Sequence, residues 1–198
     1  LDTSGLVKAA REHGVLLDVA VRPGDFVIRG EPLGRFEVIQ PSPGAHGDRE
    51  DDREALVRSV RRAFILGKRR TEDQDPRFVL SQLVEIAVRA LSPGINDPIT
   101  ACNCIHRLGA ALAEVARRPV PAAAHRDEEG NLRLRIAPIT FPDLLADAYD
   151  PIREHAGGDT MVETTLLDTL RTIGRLAERE ADREALERQA EKVRGSGD

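Results

Sequence analysis

The sequence predicts an α+β fold that is mainly α: a helical bundle with a small N-terminal β platform and one β-hairpin. Three observations carry this reading. The first forty residues are short apolar runs punctuated by Gly and Pro. From about residue 48 onward, apolar residues recur at helical spacing. One later stretch, around residues 120–137, alternates instead. The expected organisation is a β-rich subdomain over 1–40, a helical bundle over 48–178 with the hairpin 120–137 inserted, and a charged helical extension or frayed tail over 179–198.

Asp2, Thr3 and Ser4 offer N-caps for a short helix through Leu6, Val7 and Ala10, stopped by Gly14. Val15 to Val21 reads as a strand, and Arg22-Pro23-Gly24-Asp25 is a strong turn signal. Phe26-Val27-Ile28 and Arg35 to Ile39 read as two more short strands, separated by Gly30-Glu31-Pro32-Leu33-Gly34. This arrangement resembles one half of a hammerhead of the biotinyl-lipoyl type. A swinging arm would need a lysine at a hairpin tip, and the chain has lysine only at Lys8, Lys68 and Lys192, so carrier function is rejected.

Gln40 to Gly47, rich in Pro, Gly and Ser, is the expected internal boundary. Leu56, Val60 and Phe64 then mark one face of a helix, with acids (Glu50, Asp51, Asp52, Glu54) first and bases (Arg58, Arg61, Arg62) last, an order that complements the helix dipole. The helix opening at Pro76 is apolar around most of its circumference, with polar Arg77, Ser81, Gln82, Glu85 and Arg89 confined to a stripe. The next, from Pro98 to about Arg117, is rich in small residues. These two helices are expected to form a central spine with Leu83, Ile86, Ala87, Ile105 and Leu112 buried between them.

Ala122 to His125 and Leu132 to Ile136 flank Glu128-Glu129-Gly130-Asn131, which reads as the hairpin, with Arg133 and Arg135 on its outer face. Phe141 to His155 is amphipathic, but Pro151 predicts a kink or break. Gly157-Gly158 interrupts the chain, and Val162, Leu166, Leu170, Ile173 and Ala177 line the last core helix.

Composition excludes several functions. A net charge of -5, no Trp, one Tyr and few Phe argue against nucleic-acid binding. No apolar run approaches the roughly 20 residues that span a bilayer. The chain starts at Leu1 rather than Met and reads as a piece of something longer. Cys102 and Cys104 point to opposite sides of a helix, so an internal disulfide is not expected. Cys102 and His106 share a face, yet the other histidines are scattered without metal-type spacing, so neither a metal nor another cofactor is expected. No Gly-rich phosphate loop is present, because Gly67-Lys68-Arg69 lacks the upstream glycine and strand.

The densest polar punctuation runs from Arg70 to Thr100. Asp75-Pro76 and Asp97-Pro98 have the form of helix starts, with Asp as N-cap and Pro in the first helical position. Arg70, Gln74, Asp75, Arg89, Asn96, Asp97 and Thr100 form the candidate polar motif. Arg89, Asn96 and Asp97 are expected to meet at the turn between the two apolar helices, where unpaired polar groups would be costly. Gln74 and Asp75 stand roughly 24 Å away, at the far end of the first helix. Lys68, Arg69 and Arg70, with Arg61 and Arg62, form a basic cluster, either a solvated helix end or a contact for anionic lipid headgroups.

Together these residues resemble the domain-of-unknown-function family 2254, a set of predicted bacterial membrane proteins. The likeness rests on Arg22-Pro23-Gly24-Asp25-Phe26-Val27 with Gly30 and Pro32-Leu33, and on a long central motif. That motif comprises Arg70, Thr71, Gln74, Asp75, Pro76, Arg89, Ser92, Pro93, Asn96, Asp97, Pro98 and Thr100. It continues weakly through Ala148-Tyr149-Asp150 and Ile152-Arg153, whereas Cys102, Cys104, His106 and Pro151 lie outside the pattern. The resemblance implies a soluble C-terminal region following transmembrane helices, on the cytoplasmic side of the bacterial inner membrane. It transfers no catalytic residue.

The leading expectation is therefore a non-enzymatic domain serving assembly or regulation of its own transmembrane region, as a homo-oligomer. Its rivals are a hydrolase-like enzyme with a polar site around Asp97 and Asn96, and a soluble helical adaptor.

Overall fold

The structure, a computed structural model, describes residues 1–39 and 50–195. The Pro/Gly-rich boundary expected at 40–47 and the last three residues of the tail lie outside them. Seven helices and four strands form two compact units among the described residues, consistent with the mainly helical α+β class.

The first unit comprises residues 1–75 and 121–138. Helix α1 (Thr3–Glu12) starts where Asp2 accepts from the Gly5 amide, as its capping position predicts. Strand β1 (Val15–Val19) pairs antiparallel with β2 (Gly34–Val38) and parallel with β4 (Leu132–Ile136). Strand β3 (Ala124–Arg126) closes the sheet order β2-β1-β4-β3. Leu6 and Ala10 of α1, Leu56 of α2 (Glu50–Arg62), Val15 and Leu17 of β1 and Leu134 of β4 make one apolar core.

Three expectations change here. The hairpin belongs to the N-terminal sheet rather than to the bundle, because β4 places Leu134 beside Leu17 in that core. Helix α2 joins the same core through Leu56. Phe26-Val27-Ile28 forms no strand, so the half-hammerhead disappears. Residues 22–31 instead make two hydrogen-bonded turns, with Asp25 N donating to Arg22 O and Glu31 N to Ile28 O.

The second unit comprises residues 76–120 and 139–198. It contains α3 (Pro76–Ala90), α4 (Pro98–Ala116), α5 (Phe141–His155), α6 (Thr160–Leu176) and α7 (Glu180–Arg194). Ala87, Ile105 and Leu112 are fully buried, as the spine expectation requires, while Leu83 is only half-buried against the core. Ile86 is not: it is 49% exposed, because α3 packs with α4 and α5 and leaves its third side open. The predicted face of α6 is buried throughout, from Val162 to Ala177.

Pro151 does not break α5, which runs on to His155. Of the two alternatives for the C-terminal stretch the helical one is present as α7, but it is not solvated all round: Ala185, Leu186 and Val193 join the bundle core and Asp182 and Gln189 are buried with them. Its apolar positions are few but fall on one face. A closely packed site joins α4 to α5 and α6: the Tyr149 hydroxyl donates to Ile105 O at 3.2 Å, and Gly109 lies under Tyr149 and Thr169.

Candidate functional site

The central motif divides between the units, Asp75 ending the first and Pro76 opening the second. In the first unit, the Arg22–Asp25 turn is closed by Arg22 N donating to Asp25 Oδ2 at 2.7 Å. Gly24 lies in it at φ +89°. The Asp75 carboxylate packs directly on Gly24, so closely that a Cβ there would stand 2.0 Å from Oδ2. Arg70 donates to the same oxygen through Nε at 2.7 Å and Nη2 at 2.6 Å. Asp75 is 2% exposed. Beside it, the Gln74 side-chain amide meets the Leu1 backbone in both directions, Nε2 donating to the carbonyl at 3.2 Å and Oε1 accepting from the nitrogen at 2.5 Å. Gln74 thus pins the entry to α1 as a β-ladder neighbour would.

In the second unit, the turn between α3 and α4 is held by its own backbone. Asp97 N donates to Ala90 O, and Ile95 N and Asn96 N both donate to Ser92 O. Asn96 has φ +49°, a left-handed conformation that Asn tolerates better than other side chains. Asp97 caps α4: Oδ1 accepts from Thr100 N at 3.0 Å and Oδ2 from Thr100 Oγ1 at 2.6 Å. The Thr100 hydroxyl and then its amide hold the Asp97 carboxyl below the usual carboxylate range.

The expected cluster of Arg89, Asn96 and Asp97 does not form. Arg89 turns along its own helix to Glu85, with Nη2 at 2.5 Å from Oε1 and both side chains largely exposed. An i,i+4 pair needs no backbone rearrangement, while Asp97 is already engaged by Thr100. Among the second-unit motif residues, Asp97 and Thr100 share a side-chain hydrogen bond. Ser92 Oγ adds a bond to the Arg89 carbonyl, 2.7 Å long.

Cys102 faces α6, where Thr165 Oγ1 donates to its sulfur at 3.2 Å. His106, on the next turn, is exposed. Burial raises the Cys104 thiol above its ordinary range. Among the described residues no three His, Cys, Asp or Glu side chains converge as metal ligands.

Three polar sites escaped the sequence reading. Arg133 does not face solvent: it is 5% exposed, with Nε 2.6 Å from Asp127 Oδ2. Burial would raise the Asp127 carboxyl, but bonds from Arg133 and Asn131 outweigh it and bring it down to about 2. Strand alternation assigned Arg133 to the opposite face from Leu132, and no local signal marks Asp127 six residues upstream as its partner. Asp150 gathers Gln189 and Lys192 of α7 at 3.0–3.1 Å. Burial opposes its ionisation, while Gln189, Lys192 and Arg153 lower its pKa. Arg179, preceding α7, donates to the Arg118 and Val115 carbonyls at the end of α4.

Chemically, these carboxylates are engaged by local donors. Asp75 has its back to a glycine and its face to a guanidinium, and Asp97 is spent on a helix start. Both arrangements are staples that fix how chain segments meet.

A family model described as predicted membrane protein (DUF2254) matches residues 1–172. The uncharacterized proteins Mb1321c of Mycobacterium bovis and Rv1290c of Mycobacterium tuberculosis strain H37Rv are each 34% identical over 172 residues, which is 87% of this chain and 31% of each relative. The uncharacterized protein MT1328 of Mycobacterium tuberculosis strain CDC 1551 is 36% identical over 165 residues, 83% of this chain and 30% of its own length. The chain therefore spans less than a third of the length of these relatives. No solved structure matches.

Proposed function

Because the chain belongs to the DUF2254 family of predicted membrane proteins, we propose that it is a non-enzymatic domain outside the bilayer, on the cytoplasmic side, that serves assembly or regulation of the protein's membrane part. No helix among the described residues is long and apolar enough to cross a membrane. The observation that carries the non-enzymatic reading is the engagement of both motif carboxylates, Asp75 by Arg70 and Asp97 by Thr100. A hydrolase would need one of them open to a substrate or to an activating base. Self-association belongs to the same reading, since β2 is an edge strand of the sheet formed by the described residues.

Reporter fusions to the full-length protein test the location. A fluorescent protein fused after this domain is expected to fluoresce, and alkaline phosphatase at the same junction to stay inactive. The reverse pattern would move the domain across the membrane. Deleting the domain is expected to change the size of the detergent-solubilised protein in native electrophoresis. An unchanged assembly with unchanged cellular phenotype would sink the assembly role.

A further inference from the structure

The first unit displays large apolar side chains that a folded domain would ordinarily bury. Phe26 is 88% exposed and Ile65 85%, with Leu66 and Ile28 also mostly in solvent. The Phe26–Ile28 segment is bounded by two closed turns, Arg22 N donating to Asp25 Oδ2 at 2.7 Å and Ile28 N to Glu31 Oε2 at 3.0 Å. Ile28 and Leu66 line one groove of about 730 Å³, floored by Leu17, Phe36 and Val60. Phe26 and Ile65 do not line the groove; they stand beside its rim residues in the chain, Phe26 two positions before Ile28 and Ile65 next to Leu66.

Basic side chains outnumber acidic ones along this groove, Arg29, Arg35 and Arg61 against Asp18 and Glu31. Exposed Lys68 and Arg69 follow Leu66 by two and three residues, within roughly 11 Å. Asp18 pairs with Arg35 and Arg135, which removes Arg35 from the balance, and Glu31 accepts from the Ile28 amide, leaving Arg29 and Arg61 against Glu31 along the groove. Exposed apolar side chains beside an excess of basic ones are complementary to an anionic interface with an apolar interior. A partner protein could match the apolar part, but the excess of cations favours a surface dense in phosphate.

We infer that the groove rim at Ile28 and Leu66, with exposed Phe26 and Ile65 beside it in the chain, docks on an anionic phospholipid bilayer, inserting apolar side chains while Arg29, Arg61, Lys68 and Arg69 take the headgroup phosphates. This rests on the reading that the domain lies beside a membrane. It adds which face meets the lipid.

The test is sedimentation of the 198-residue chain with phosphatidylglycerol–phosphatidylcholine vesicles and with pure phosphatidylcholine vesicles, circular dichroism confirming the fold. Binding is expected to be at least about tenfold tighter to the anionic vesicles and to weaken with salt. Ile65→Asp with Leu66→Asp is expected to cut it at least about tenfold, and Arg29→Glu with Arg61→Glu by a similar factor while flattening the salt dependence. Folded wild-type chain that ignores anionic vesicles, or substituted pairs that bind them as wild type does, would overturn the inference. So would a concentration-dependent dimer that both pairs abolish without vesicle binding, which would make the groove an interface between copies. The fusion experiment reads the side of the membrane independently. Loss of vesicle binding with cytoplasmic fusions removes only this docking face, and binding with fusions on the opposite side removes only the location.

Discussion

Gly24 and Asp75, fifty-one positions apart in the chain, occupy one another's space: the Asp75 carboxylate fills the volume that any side chain at Gly24 would need. The contact joins the Arg22–Asp25 turn to the end of the Arg70–Asp75 segment, two parts of the family-matched sequence that look independent when read along the chain. It also explains why a glycine turn and a buried carboxylate occur together.

Gly24→Ala is therefore expected to cost more than its backbone conformation alone. At φ +89° an alanine loses about 1–2 kcal/mol, and displacing Asp75 from Arg70 should add at least about 1 kcal/mol. Gly130→Ala is the control, because Gly130 has φ +85° with nothing within 4 Å of its missing Cβ. Urea unfolding of both variants measures the difference. Equal losses would show that Asp75 moves aside freely.

Gly109→Ala should reverse the usual rule for helices, where alanine is worth about 0.5–1 kcal/mol over glycine. Its Cβ would stand 2.2 Å from Thr169 Cγ2 and 3.1 Å from the Tyr149 hydroxyl. A net destabilisation of about 1–3 kcal/mol is expected. Adding Thr169→Ala should recover most of it in thermal denaturation; if the double variant is no better than the single one, the close approach of α4 and α6 is not the cause.

At the start of α4, Asp97→Asn should unfold at a higher temperature than Asp97→Ala, since Asn also caps and Ala cannot. Arg89→Ala should be within about 0.5 kcal/mol of wild type, because its partner Glu85 is as solvent-exposed as Arg89 itself. Strong coupling of Arg89 to Asp97 in a double-mutant cycle would restore the cluster that the geometry does not contain.

Acid titration should expose the Asp127–Arg133 pair. The folded carboxyl titrates at about 2, below the unfolded value of roughly 3.9. The unfolded state thus takes up the proton first as pH falls. The pair's stabilisation is complete above roughly pH 5 and is lost progressively as pH falls through the interval down to about 2. Asp127→Asn should flatten the acid limb of a stability–pH curve over that interval. A variant with an unaltered acid limb would mean that Asp127 does not titrate there.

What the sequence determined by itself was local. Asp2 and Asp97 cap helices because the bond from an N-cap carboxylate reaches only two or three residues onward. The α6 face was legible because Val162, Leu166, Leu170 and Ile173 repeat at the helical period. Family membership was legible too, in the polar punctuation between Arg70 and Thr100. The tertiary structure decided everything that depends on which distant surfaces meet. Pairing β4 with β1 took the hairpin from the bundle into the N-terminal sheet, and no pattern within residues 120–137 names that partner. Helix α7 looked like a solvated tail because few of its residues are apolar, yet Leu186 and Val193 found a bundle surface, and Asp150 found Gln189 and Lys192. Asp97 and Arg89 looked adjacent in a short turn, but side-chain direction and a nearer donor decided between them. Burial and long-range pairing are properties of the whole packing, so a carboxylate such as Asp75, which reads from its neighbours in sequence as a cap, is in the fold also the floor beneath a glycine turn.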